Sequence, residues 1–129
     1  MLFSVAGGKN PHIEDPQNQL EIWASSDWAE RAFCKQCGSS LYYKLKIPGP
    51  MNGEHYFCAG GIEDWKDMKF GTQVYVDRKP DVICFQTDPD HVTYTKAEIE
   101  ARYAAGGDGH SEEEVADQRE KQQAPVPCK

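Results

Sequence analysis

The sequence predicts an all-β fold, a sandwich of short antiparallel strands followed by a polar helical tail. Three observations carry that reading. Several stretches alternate apolar and polar residues at period two, as half-buried strands do. Gly, Pro, Asn and Asp punctuate the chain at short intervals between them. A Cys-x-x-Cys-Gly motif, Cys34-Lys35-Gln36-Cys37-Gly38, sits at the end of one such stretch, where two thiolates can share one metal ion and the glycine lets the backbone turn at positive φ. The last feature makes the predicted sandwich zinc-knuckle-bearing.

The elements follow in order. Residues 2–6 form an apolar run stopped by Gly7-Gly8, a first strand. Gly7-Gly8-Lys9-Asn10 lacks the glycine spacing and the Ser/Thr of a phosphate loop, so that reading is rejected. Asn10-Pro11 and Asp15-Pro16 mark turns. Leu20, Ile22 and Ala24 alternate with Gln19, Glu21 and Trp23; after a turn at Ser25-Ser26-Asp27, a second arm over Trp28 to Phe33 delivers Cys34. Leu41, Tyr43 and Leu45 predict a strand beyond the knuckle. Pro48-Gly49-Pro50 and Asn52-Gly53 make a loop, His55 to Ala59 another strand, and residues 62–67 a polar loop. Val74-Tyr75-Val76 and Val82-Ile83-Cys84-Phe85 read as two further strands around a turn at residues 77–81. Thr95-Lys96-Ala97-Glu98 is a capping box opening a helix to about Ala105. From Asp108 onward large apolar residues almost vanish, predicting a solvated helix or disorder. The expected division is a β domain over residues 1–94 and a helical or disordered tail over 95–129.

Composition narrows the function. A chain of 129 residues is long enough for one core. A net charge of −7 argues against a nucleic-acid surface, which needs clustered Lys and Arg. No apolar run approaches the ~20 residues that span a bilayer, and the N-terminus lacks the order of a secretory signal. Five cysteines, two of them in a close pair and without an export signal, suit metal or redox chemistry better than a disulfide scaffold. The expected compartment is the cytoplasm.

Cys34 and Cys37 are the candidate metal ligands, for Zn2+. A redox role would place the pair at a helix start, whereas here it lies between strands. Cys58 and Cys84 lie in apolar stretches and read as buried small hydrophobes. His55 and Cys58, three apart on a strand, face opposite sides and do not pair. His12, His91 and His110 read as solvated, with His12 the best surrogate ligand among them; Cys128 reads as an exposed thiol. Trp23, Trp28, Tyr42 and Tyr43 either line a groove for a small thiol adduct or pack across strands.

The segment over residues 25–41, Ser25-Ser26-Asp27 through Arg31-Ala32-Phe33-Cys34-Lys35-Gln36-Cys37-Gly38-Ser39, resembles the core of the glutathione-dependent formaldehyde-activating family, which includes centromere protein V. Gly61-Ile62-Glu63-Asp64 and Val74-Tyr75-Val76-Asp77-Arg78-Lys79-Pro80 resemble two later blocks of that family, and the likeness spans about residues 1 to 87. It implies the same β fold and a carbon–sulfur lyase activity that joins glutathione and formaldehyde into S-hydroxymethylglutathione. It also implies two zinc sites. Family members carry a Cys-x-Cys and a Cys-His-Cys-x-x-Cys-Arg block ahead of the region that Met1 to Val5 resembles; the first completes the zinc held by the pair matching Cys34 and Cys37, and the second holds the catalytic zinc. This sequence starts after both, so no catalytic residue is assigned. The other functional class is a non-catalytic β module, stapled by zinc and used for protein–protein contact; in a homodimer, two chains could each give Cys34 and Cys37 to one zinc.

Overall fold

The structure, a computed structural model, describes residues 3–85 and 91–104. Contacts divide the chain into two compact units, Met1–Trp65 and Lys66–Lys129.

The first unit is a five-stranded antiparallel sheet. Its strands are β1 (Ser4–Gly8), β2 (Leu20–Ser26), β3 (Ala29–Cys34), β4 (Ser40–Leu45) and β5 (His55–Cys58), in spatial order β1-β5-β4-β3-β2. Consecutive strands from β2 to β5 pair as hairpins, and β1 closes the far edge on β5. Directly opposed residues share a face, and the register lays two rows across the sheet. One row runs Ile22, Ala32, Tyr42, Phe57, Val5; the other runs Trp23, Arg31, Tyr43, Tyr56, Ala6.

The first row is the packed one at its centre. Ala32 and Tyr42 are buried, and the Tyr42 ring meets Phe57 at 5.5 Å and His55 at 5.3 Å, both tilted. Burial holds the Tyr42 phenol above its ordinary pKa, with the Glu30 carboxylate acting the same way. The second row is held by ring contact: Tyr43 stacks on Tyr56 at 4.8 Å, and the Arg31 guanidinium lies 5.9 Å from the Tyr43 centroid. Ala29 and Leu45, opposite one another and odd-numbered steps from Ala32 and Tyr42, are buried on this other face. His55 is buried too, and its Nδ1–H donates to the Gly8 carbonyl at 3.2 Å across the register shift in β1. That bond places a proton on Nδ1 and ties β5 to the end of β1.

The second unit holds β6 (Thr72–Val74), β7 (Val92–Tyr94) and α1 (Lys96–Ala104). Val92, Tyr94 and Ile99 form its buried core, with Tyr75 and Tyr103 packed against them. The helix starts as the capping box requires: the Thr95 backbone N–H and hydroxyl both donate to Glu98 Oε2, at 2.7 and 2.8 Å, while the Glu98 N–H donates to Thr95 Oγ1. Asp77 Oδ1 accepts from the next free amide, Lys96 N–H, at 2.7 Å.

The all-β class holds, and the sheet of the first unit is antiparallel throughout. Three expectations need correction. β6 and β7 pair in parallel, which the long connection between them permits. The strand expected over Val74-Tyr75-Val76 stops at Val74, because Tyr75 turns into the left-handed region at φ 58° and Val76–Arg78 form a 3-10 turn. Residues 82–85 are not a strand: the Ile83 N–H donates back to the Pro80 carbonyl, Lys79 Nζ caps the Ile83 carbonyl, and Val82 is 91% exposed. β7, only three residues long, was not expected. The tail beyond residue 104, with His110 and Cys128, lies outside the described residues.

Two outcomes follow for stability. A Cβ added at Gly7 would lie 2.2 Å from Phe57 Cε2, so Gly7→Ala is expected to lower stability by about 1–3 kcal/mol in urea unfolding. Thr95→Ala removes the cap and is expected to cost the second unit about 0.5–2 kcal/mol, read as faster amide exchange in the first turn of α1.

Candidate functional site: a dithiol turn beside an apolar cleft

Cys34 is the last residue of β3, and the turn to β4 is built on its backbone. Its carbonyl accepts from Gly38 N–H at 2.8 Å and its N–H donates to the Ser39 carbonyl at 2.9 Å. Gly38 sits at φ +74°, where a side chain would be strained. The turn is anchored to the segment before β2 as well: Lys35 N–H donates to the Gln19 carbonyl at 2.7 Å, and Lys35 Nζ to the Asn18 carbonyl at 3.1 Å.

The turn brings the two thiols together. Cys37 is exposed, and its thiol contacts both Ser39 Oγ, at 3.1 Å, and the Cys34 thiol. The Ser39 side chain and backbone, then the Cys34 side chain, stabilise the Cys37 thiolate and hold its pKa below the ordinary thiol value. Cys34 is half-buried.

Cys34 also lines a cleft of about 410 Å³ in the first unit, a volume in the range of small-molecule sites. The packed row of the sheet forms its floor through Val5, Tyr42 and Phe57, beside Leu20 and Cys34, which oppose one another in β2 and β3. Ile13, Glu14, Asp15 and Gln19, from the segment joining β1 to β2, form one wall; Cys58, Gly61 and Ile62 stand at the end of β5. Asp15 positions that wall. Its two carboxylate oxygens accept the Gln19 and Leu20 backbone N–H groups, each at 2.8 Å. Those bonds, Leu20 first, hold its pKa below the usual carboxylate value. Cys58 places its thiol 3.5 Å from Ser40 Oγ.

The residues expected to matter separate clearly. Cys34 and Cys37 are adjacent, as the motif demands. Cys58 is half-buried and faces the cleft, and Cys84 is exposed, so neither is the fully buried small hydrophobe expected. His12 is exposed and bonds Glu14 at 3.0 Å; His91 is half-buried, not solvated. Trp23, Trp28, Tyr42 and Tyr43 do not share a groove. Tyr42 floors the cleft, Tyr43 lies on the opposite face with Trp23, and Trp28 is exposed in the β2–β3 turn. Among the described residues, no three His, Cys, Asp or Glu side chains are gathered as a metal site. The knuckle thus suits two corners of a tetrahedral zinc, and the described residues do not offer a complete shell. The cleft residues Val5, Leu20, Phe57 and Ile62 were not singled out from sequence; only their apolar character marked them.

No helix among the described residues is long and apolar enough to cross a membrane. No family model matches the sequence, and no solved structure matches it. Among curated proteins, one from Schizosaccharomyces pombe named as an uncharacterized lyase is 37% identical over 90 residues, a match that covers 66% of this chain and 58% of the relative. The chain therefore spans less than two thirds of the length of that relative.

Two measurements test the geometry. Ser39→Ala removes the first support of the Cys37 thiolate, so the pH midpoint of Cys37 alkylation by iodoacetamide is expected to move upward. Asp15 has its pKa lowered in the folded state, so its contribution is present above the unfolded carboxylate value and is lost as pH falls through the lowered one. Asp15→Asn is accordingly expected to flatten the acid limb of the stability profile below about pH 5, read from urea midpoints.

Proposed function

We propose that this chain carries the thiol-adduct site of a carbon–sulfur lyase of the glutathione-dependent formaldehyde-activating type. The observation that carries the reading is the placement of Cys34, which belongs at once to the dithiol turn and to the apolar cleft. The relative named as a lyase supports the reaction class, and the three motif blocks support the family.

The reaction is the reversible joining of a thiol and an aldehyde. In the cleavage direction the C–S bond of an S-hydroxymethyl adduct breaks with its electron pair going to sulfur, the hydroxyl proton is transferred to that sulfur as the C=O bond forms, and the thiol and formaldehyde leave. The chain's own groups supply an apolar floor at Tyr42 and Phe57 and a turn that holds two thiols beside it. Zinc, when bound by Cys34 and Cys37, would supply a Lewis acid. Because the described residues do not complete its shell, no step is routed through it. S-hydroxymethylglutathione is the adduct of choice, and the cytoplasm the compartment.

A second reading is supported by the same two-donor count: a zinc staple without catalysis, shared between two copies. The test is elemental analysis with native mass, using Cys34→Ser as the control, followed by 13C NMR of formaldehyde and glutathione with the protein added. Zinc lost in the variant, together with faster adduct exchange than buffer alone, is the expected result. About one zinc per two chains in a dimer, without exchange, would favour the staple. Zinc-free protein with no exchange would overturn both.

A further inference from the structure

We infer that β2 is a docking edge for a second copy of this chain, which pairs antiparallel with it about a two-fold axis at Trp23. Three observations carry this, and none depends on the lyase reading.

The first is the direction of the edge's backbone groups. β2 ends the sheet, with β3 on its inner side. In an antiparallel pair, residues bonded to the neighbouring strand alternate with residues whose N–H and C=O point away from it. Lys35 N–H donates to the Gln19 carbonyl, so Gln19, Glu21 and Trp23 bond toward β3, while Leu20, Ile22 and Ala24 point outward. Leu20 fits that phase, because its N–H goes to Asp15 Oδ2 and not to a strand. Asp15 thereby closes the edge at one end, and the register shift after Ala24 ends it at the other. Between them lie the outward donors and acceptors of Ile22 and Ala24.

The second is that this set is complementary to itself, as a two-fold interface requires. An axis at Trp23 sets Ile22 against the partner's Ala24, and the N–H of each meets the C=O of the other. An axis at Ile22 would set Ala24 against the partner's Leu20, whose N–H is already taken. Sizes match too: the large Ile22 meets the small Ala24, on the face that carries Ala32 and Tyr42. On the opposite face Trp23 meets the partner's Trp23 at a close, non-hydrogen-bonded position, where aromatic pairs add stability. The contact covers two large apolar side chains now in solvent, Trp23 at 60% and Ile22 at 52% exposure.

The third is charge. A chain of net charge −7 repels its own copy, yet both carboxylates beside this edge are met by lysines of their own chain. Glu21 lies 3.6 Å from Lys35, and Glu30 3.4 Å from Lys46. The axis at Trp23 also sets each Glu21 against the partner's Ser25 and away from the partner's Glu21. β2 itself carries no Lys or Pro, the residues that commonly block an exposed edge. This pairing is not the shared zinc staple. Cys34 opposes Leu20, so the two dithiol turns stand at opposite ends of the contact, at least ~20 Å apart along the strands, against zinc–sulfur bonds of ~2.3 Å.

The experiment is sedimentation equilibrium of the full chain with EDTA and a reductant, over a concentration series reaching the millimolar range. A reversible monomer–dimer equilibrium is expected, unchanged in Cys34→Ser. Trp23→Lys and Ala24→Pro are each expected to leave only monomer. The first sets two ammonium groups face to face, and the second removes an outward N–H without breaking a bond to β3. Far-UV circular dichroism checks that each variant keeps its sheet. Register is read by cross-linking in an oxidised glutathione buffer, with the linked peptides located by mass. Trp23→Cys is expected to form a disulfide with its own copy. Glu21→Cys is not, since its copies stand ~13 Å apart, too far for a disulfide. Where an edge variant fails to fold, this comparison decides. A monomeric parent chain, a dimer lost with EDTA or in Cys34→Ser, a dimer that survives both edge variants, or equal cross-linking at both positions overturns the inference.

Discussion

The burial of Tyr42 in the middle of β4 is the constraint on which the first unit depends. β4 is the central strand, so its register fixes β3 on one side and β5 on the other. Tyr42 opposes Ala32 and Phe57 at once. Ala32 is fully buried and small, which lets the ring lie close to the sheet, and Phe57 and His55 close on it from the other side. A slip of one residue would turn Tyr42 to the face of Tyr43 and carry the whole row with it. Because the phenol is already disfavoured as an anion by burial and by Glu30, the floor it gives the cleft stays neutral.

The dithiol turn inherits its position from that register. β3 must end at Cys34 for Leu20 to oppose it, and β4 must begin at Ser40 for Ser40 to oppose Phe33. Five residues remain to make the connection, and Gly38 at positive φ lets them close with the Cys34 carbonyl and amide both satisfied. The same closure aims the Cys34 side chain at the cleft and leaves Cys37 in solvent. Sheet register, turn and site are therefore one set of hydrogen bonds.

How much of this could be read from the sequence depends on the length of each pattern. The β2, β3 and β4 stretches are six or seven residues long and bounded by turn signals, and they appear where the alternation puts them. The capping box at Thr95 and Glu98 was legible because its bonds are local. The short elements were not. β6 and β7 are three residues each and pair across a long connection, so neither carries a period. Residues 82–85 looked like a strand because the window is apolar, yet Pro80 and Lys79 fold it back on itself. Which face is buried was also hidden. Ala29 with Leu45 and Ala32 with Tyr42 are three residues apart along their strands, so the core lies on one face near the β2–β3 turn and on the other near the knuckle. A single-faced alternation cannot express that. In the site, Cys34 and Cys37 were visible because their spacing is the chemistry; Phe57, Leu20 and Ile62 were not, because apolar residues declare a wall only once the sheet has aligned them.

The separation of the two faces also explains why the aromatic residues divide as they do. Tyr42 and Tyr43 are neighbours in sequence and must point to opposite sides of a strand. One is buried and floors a cleft; the other stacks flat on Tyr56 under Arg31, a contact that ties β3, β4 and β5 together from the far side. The stack does not require full burial, since ring area and the cation–π contact act while the Arg31 side chain stays in water. With the far face holding the strands in register, the near face is free to leave a hollow where a fully packed core would otherwise be needed. A cavity in a sheet this small removes contacts from its own floor, and the second row adds ring contacts between the same strands on the other face. The cleft beside Cys34 thus lies on the Tyr42 face, while the Tyr43–Tyr56 stack ties the same strands from the opposite face.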